Sequence, residues 1–257
     1  MKTGIVFLVL AYVLSQFYRA FLAVLTRVLE TDIGATSADL AASSGYWFIA
    51  FAAMQIPVGW ALDAIGPRKT ASVLMAIGAA GGAYVFSIAT EVWHIHTAMI
   101  LIGIGCAPIL MAAFFTFAKT YPPAIFATLS GITIGIGSLG NLASSTPLAW
   151  AVAEFGWRGS PVGLATITPI SAITLAIFVK DPPRATTTQK GSFLTLLRIP
   201  ALWFILPLVL VAYAPAAGIR GLWIGPYLQD VYAASDISIG NAGLIMGVAM
   251  IAASFAY

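Results

Sequence analysis

Charge is what this sequence has least of. Charged residues make up 8% of the 257-residue chain, 12 Lys+Arg against 9 Asp+Glu, where a soluble domain carries about 25%. So few charges cannot clothe a water-facing surface, which excludes soluble enzymes, nucleic-acid-binding proteins and disordered scaffolds. Cysteine is almost missing too. The one thiol, Cys106, lies inside an apolar run, which removes disulfides and Cys-based metal sites together. Tight turn pairs do not recur at the spacing of a transmembrane β-barrel. What the chain does have is apolar surface: 60% of its residues are hydrophobic, so the solvent expected for most of it is lipid.

Apolar runs of bilayer-spanning length fall near 4–26, 40–62, 70–90, 95–118, 124–152, 161–179, 201–228 and 238–257. Each is rich in Gly and Ala and reads as a helix, giving an all-α integral membrane protein. The first run, behind Lys2, has the look of a signal peptide. Seven further spans follow it and no soluble domain does, so it is expected to stay as the first helix. With the N-terminus in the cytoplasm, Lys2, Arg68, Lys69, Lys119, Lys180, Arg184, Lys190 and Arg198 fall inside and only Arg27 and Arg158 outside. The positive-inside rule selects this orientation, in a multi-pass protein of the cytoplasmic (inner) membrane. It also accounts for the net charge of +3 without a nucleic-acid partner. The acids Glu30, Asp32, Asp39, Glu91, Glu154, Asp230 and Asp236 gather at the outer ends.

The most hydrophilic stretch, Lys180 to Arg198, contains Asp181-Pro182-Pro183-Arg184 and three consecutive threonines, too little apolar area to fold alone. It divides the chain into a six-helix bundle (1–180), a cytoplasmic linker (181–199) and the first two helices of a second bundle (200–257). That is the layout of a duplicated transporter. Tyr257 falls within an apolar run, and the second bundle is expected to continue beyond it.

Spans two and three are joined by Gly59-Trp60-Ala61-Leu62-Asp63-Ala64-Ile65-Gly66-Pro67-Arg68-Lys69. Gly59 is suited to close helix contact and Gly66 to a tight turn, while Asp63, Arg68 and Lys69 set charges at the interface. Here the sequence resembles the major facilitator superfamily, whose loop in this place reads G-x-x-x-D-x-x-G-x-R-[KR]. It departs at Ala64, where the family usually has a basic residue. The resemblance implies a twelve-helix transporter and assigns Gly59, Asp63, Gly66, Arg68 and Lys69 to an inside gate. Gly156-Trp157-Arg158, before the sixth span, resembles another element of the superfamily. A membrane-embedded Arg between Leu101 and Gly105 and a Gly-Pro pair in span five are missing, which argues against a multidrug proton antiporter.

Two arginines lie within spans. Arg19 is about eight residues from the outer end of the first span, roughly 12 Å at 1.5 Å per residue, farther than its side chain reaches by snorkelling. Arg220 stands in the seventh span. From Arg19 to Glu30 is 11 positions and from Arg220 to Asp230 is 10, so the two occupy matched depths in matched helices. Each costs about 2.5 to 3.5 kcal/mol near the bilayer centre unless it faces a cavity or a partner. One reading has both guanidinium groups clamp an anion from opposite sides; the other has them pair with helix carbonyls or outer acids. The clamp resembles the organophosphate:phosphate antiporter branch, where arginines of helices one and seven bind the phosphoryl group.

Helical spacing puts Tyr12, Gln16, Arg19, Ala23 and Thr26 on one stripe of the first helix, and Tyr213, Ala216, Arg220 and Trp223 on one stripe of the seventh. Tyr12, Gln16, Tyr213 and Trp223 are therefore candidate substrate contacts, or equally packed faces; Tyr46, Trp47 and Asn141 are lesser ones. Pro215, Gly218, Gly221, Gly225 and Pro226 make the seventh helix breakable. Glycines of span five (131, 135, 137, 140) and span eight (240, 243, 247) are spaced for close approach, and in the superfamily those helices meet.

His94-Ile95-His96 has no Cys or carboxylate pair beside it and reads as a helix start rather than a metal site. No nucleophile with its base and no phosphate-cradling loop is visible, so neither catalysis nor a cofactor is expected. All nine acids lie at helix ends or in loops, which leaves the coupling open between protons and a counter-anion. The function expected is secondary active, alternating-access transport of a small organic anion, a carboxylate or a phosphate ester. The alternatives are a transporter of a neutral sugar or drug-like solute, and a non-transporting, receptor-like membrane protein.

Overall fold

The apolar runs become helices, and no strand forms among the described residues. In the computed structural model these are residues 2–183, 199–219 and 223–255. Helices α1 (Lys2–Ala20) and α2 (Leu22–Ile33) make the first span. Thr36 then caps α3 (Ser37–Ala53): its hydroxyl accepts from the Asp39 N–H, and the Asp39 carboxylate accepts from the Thr36 N–H. The second span breaks at Met54 and resumes as α4 (Gln55–Ala64). Pro57 has no N–H for the Ala53 carbonyl, which explains a break at that point.

The third span is α5 (Pro67–Leu74), a π-helical turn at Met75–Ala80 and α6 (Gly81–Ser87); the fourth is the unbroken α7 (Val92–Thr120). Helices α8 (Pro123–Ala143) and α9 (Thr146–Phe178) follow, then α10 (Pro200–Gly218), α11 (Ile224–Tyr232) and α12 (Asp236–Phe255). Five helical stretches among the described residues are long and apolar enough to cross a membrane, the last of them 56 residues from Pro123 to Phe178. About 20 residues suffice for one crossing. Gly156, at φ 72° and ψ 162°, bends this stretch into the fifth and sixth spans. The sixth therefore starts at Trp157, a few residues earlier than the hydropathy boundary.

The helices pack through glycines. In α7, Gly103 lies against the Trp47 carbonyl of α3, where a Cβ would come within 2.6 Å. Two residues on, Gly105 meets Ala79 of the π turn so closely that a Cβ would strike the Ala79 backbone. Helix α7 thus forms the spine between the second and third spans, with Ile95, Ile102, Ile109 and Phe117 fully buried along it. Helix α1 packs on α8 in the same way: a Cβ at Gly137 would collide with the Tyr12 ring, and one at Gly140 with the Val13 carbonyl. Apolar residues point outward over the bundle, among them Ile56, Trp60, Ile77 and Phe204, as lipid requires.

Helix α12 packs on α8, the meeting expected of the fifth and eighth spans. The glycines divide differently from expectation. Gly240, Gly243 and Gly247 of α12 face Thr146, Ser145 and Leu142 at the junction of α8 and α9, whereas Gly137 and Gly140 serve α1. At the opposite end, Gly4 abuts the Phe178 carbonyl and Phe7 stacks on Phe178 with centroids 4.6 Å apart. The chain start, the end of α9 and the Gly59–Lys69 loop therefore share one end of the bundle.

Candidate functional site

Arg19 stands in the last turn of α1, with α2 continuing beyond it. Its guanidinium carbon lies 5.3 Å from the Trp47 ring centroid and 5.4 Å from that of Phe51. Trp47 and Phe51 are one helical turn apart on α3, their rings stacked 5.0 Å apart at 14°. The positive charge is thus held against aromatic faces within the first bundle, an arrangement worth about 2 kcal/mol when desolvated. Trp47 entered the sequence reading only as a lesser candidate and Phe51 not at all. The available signal was an i, i+4 aromatic pair on the second span.

One turn below Arg19 on the same stripe, Gln16 is 4% exposed; a further turn below, Tyr12 is equally buried, its ring over Gly137. Asn141 of α8, 8% exposed, follows Gly137 by one turn. The first-helix half of the expected constellation is therefore gathered at the meeting of α1, α3 and α8. Arg220, from the other half, lies outside the described residues, as does the Tyr213 side chain. Trp223 is exposed, immediately ahead of α11.

At the inside-gate loop, Gly66 takes φ 108°, and a Cβ there would sit 2.7 Å from Asp181 Oδ1. Asp181 accepts the Arg68 backbone N–H at 2.8 Å and lies 3.9 Å from Arg68 Nε. The loop between α4 and α5 is thus tied to the segment that follows α9, through a carboxylate that the sequence reading had left in the linker. Gly59 is a correction: a Cβ there would meet Met111 Cε at 3.8 Å, ordinary contact rather than close helix approach. Asp63 makes no salt bridge among the described residues. It is exposed at the rim of a groove of about 430 Å³ lined by Leu62, Met111, Phe114, Phe115 and Phe126.

A second tie closes the other end. The Trp157 indole N–H donates to Asp32 Oδ2 at 2.9 Å, and Arg158 Nη1 donates to the same oxygen. Arg158 Nη2 donates to the Ala89 carbonyl at 3.0 Å, while its guanidinium carbon lies 4.2 Å from the Trp157 centroid. The positive φ of Gly156 turns the chain so that both side chains reach α2 and the loop after α6. Hydrogen bonds from Trp157 and then Arg158 hold the Asp32 carboxyl below the usual carboxylate range. Nearby, His96 Nε2 lies 3.3 Å from the Asp39 carbonyl, and His94 stacks on Trp93.

Three comparisons bear on this architecture. The chain is 28% identical over 175 residues to a probable sulfoacetate transporter, SauU, of Cupriavidus necator, covering 68% of this chain and 40% of that one. The fold matches a bacterial homologue of the human lysosomal transporter Spinster, solved inward-facing and unoccupied, with a TM-score of 0.72 and 18% identity. That match covers 98% of this chain and 59% of the other. The xylose transporter XylE of E. coli, in a partially occluded inward-open form, matches with a TM-score of 0.58 and 15% identity over 99% of this chain and 70% of that one. The chain therefore spans about two fifths of the curated relative's length and three fifths of the first of these structures. The family description covers residues 8–257, nearly every span traced above, and the chain belongs to the Major Facilitator Superfamily.

Proposed function

We propose that this chain forms the first bundle and the start of the second in a secondary active transporter that moves a small organic anion by alternating access. The observation that carries the reading is Arg19, a cation built into the middle of the α1–α2 span and braced on Trp47 and Phe51. A guanidinium presents a planar fork of N–H groups, which binds carboxylate, sulfonate or phosphate oxygens in pairs. Arg220, at matched depth in sequence, supplies the second cation of the clamp, with Gln16, Tyr12, Tyr213 and Trp223 around it. Similarity to a sulfoacetate transporter supports an anion; sulfoacetate carries one carboxylate and one sulfonate, a group for each arginine.

Asp63 works the inside gate, placed by a loop that Gly66, Arg68 and Lys69 hold in position, Arg68 through Asp181. The end carrying Lys2, Arg68 and Lys69 faces the cytoplasm of a cell whose inner membrane the protein spans. The anion moves with protons or in exchange for a counter-anion.

Uptake by proteoliposomes holding the full transporter tests this directly, with sulfoacetate as first probe. Losing a charge-assisted pair costs about 1.5 to 3 kcal/mol, so Arg19→Ala is expected to lower uptake by about ten- to a hundredfold. Arg19→Lys keeps the charge without the planar fork and should retain part. Undiminished anion uptake by Arg19→Ala refutes the clamp and leaves Arg19 as a cation–π brace.

A further inference from the structure

The α1–α8 interface runs in parallel register, and that register brings two unsatisfied amides level. Tyr12 lies over Gly137, and Gly140 meets Val13 and Phe17. One turn along each helix from the Tyr12–Gly137 contact come Gln16 and Asn141, 4% and 8% exposed. Gln16 Oε1, Asn141 Oδ1 and Asn141 Nδ2 are all buried without a hydrogen-bond partner. Such groups are rare in folded interiors because each has surrendered water and received nothing in return. Gln16, one turn from Arg19 on the same stripe of α1, and Asn141, level with it on α8, form an incomplete polar shell. An amide pair kept for packing alone would be expected to hydrogen-bond with itself or with the backbone.

The chemistry of the shell is specific. Two acceptors and one donor stand without partners. A carboxylate or sulfonate brings acceptors only and satisfies Nδ2 alone, facing the two carbonyl oxygens with like partial charge. A hydroxyl brings both a hydrogen and a lone pair, so it donates to one amide oxygen while accepting from Nδ2; an amino group, charged at neutral pH, brings donors alone and serves the two amide oxygens. We infer that Gln16 and Asn141 are specificity-determining residues that select anions bearing a hydroxyl or amino group beside the charge gripped by Arg19. This rests on the anion reading above and narrows it. Discrimination by hydrogen-bonding sites of this kind is strong because the analogue lacking the group leaves buried partners unpaired.

Two measurements on the full transporter test the inference. The first needs no substrate. In ligand-free protein, Asn141→Leu and Gln16→Met replace unsatisfied amides with apolar groups of similar size and should melt at or above the wild-type temperature. A fall of several degrees means that the amides are paired and structural, and overturns the inference. The second compares 3-sulfolactate and cysteate with 3-sulfopropionate, which lacks the hydroxyl or amine. Wild type should prefer at least one donor-bearing probe by about tenfold or more in kcat/KM, and both variants should bring the ratio toward one. Arg19→Ala should instead depress all three probes alike. Equal handling by wild type, or an unchanged preference in the variants, overturns the role of the amides while the anion clamp stands. Uptake of sulfoacetate but of none of the three overturns the selection, uptake of no anion counts against the anion reading, and the melting result still decides whether the amides are unsatisfied.

Discussion

Asp32 is the residue on which the far end of the bundle turns, and its chemistry gives a pH signature. Trp157 and Arg158 both donate to its carboxylate, holding it below the usual range. A carboxyl depressed on folding contributes stability that is complete above its unfolded value near 4 and is lost as pH falls through the folded one. The difference in melting temperature between wild type and Asp32→Asn should therefore be constant above about pH 5 and shrink as pH falls below about 4. A difference that does not shrink on acidification counts against the tie. Gly66 allows a sharper test, since two independent costs meet there. Alanine must adopt φ 108° and place its Cβ 2.7 Å from Asp181 Oδ1, which together should destabilise by about 1 to 3 kcal/mol. Gly66→Ala combined with Asp181→Ala should recover the steric part and not the backbone part, as a thermal-melt double-mutant cycle would read. The turn at Gly66 was legible from its spacing after Asp63. Asp181 was not, because its partner is 113 positions away and local pattern carries no such pairing.

Helices are where the sequence spoke most clearly and glycines where it misled. Apolar length fixed every span through the sixth, and Pro57 foretells the break at Met54. Gly156 makes its bend inside 153–160, the gap that hydropathy leaves between the fifth and sixth spans. A glycine announces that something small is tolerated without naming the neighbour. Hence Gly59 was expected at a close contact, yet a Cβ there would stand 3.8 Å from a methionine tip, whereas Gly140 lies against the backbone of α1. The contrast predicts opposite outcomes. Gly140→Ala must push α1 from α8 or distort Val13, and should lower the melting temperature as overpacked cores do, by about 1 to 3 kcal/mol. Gly59→Ala meets only a flexible side chain and should melt within about 0.5 kcal/mol of wild type. Comparable losses in the two variants, measured by thermal unfolding in detergent, would show that the α1–α8 contact is looser than described.

Across the molecule, the first bundle is knit at both ends by ties internal to it, Asp181 to Arg68 at one and Asp32 to Trp157 and Arg158 at the other. The second half meets it chiefly through α12 on α8. A body tied at both ends moves as a unit, and alternating access in duplicated transporters is largely rocking of one such body against the other. On the transport reading proposed above, that rocking passes through the α8–α12 contact, where a Cβ at Gly247 would come 3.1 Å from Leu142 Cδ1. The glycine face of α12 lets the two helices approach closely at that contact. A covalent bond across it should therefore stop transport without unfolding either half. Replacing Leu142 and Gly247 by cysteines, in a background with Cys106→Ala, and oxidising them is expected to bring substrate uptake to background, with recovery on reduction. Either cysteine alone, treated identically, should transport as before. Full uptake by the oxidised, demonstrably cross-linked protein would mean that the two halves do not move against each other at α8, and that the motion lies elsewhere in the bundle.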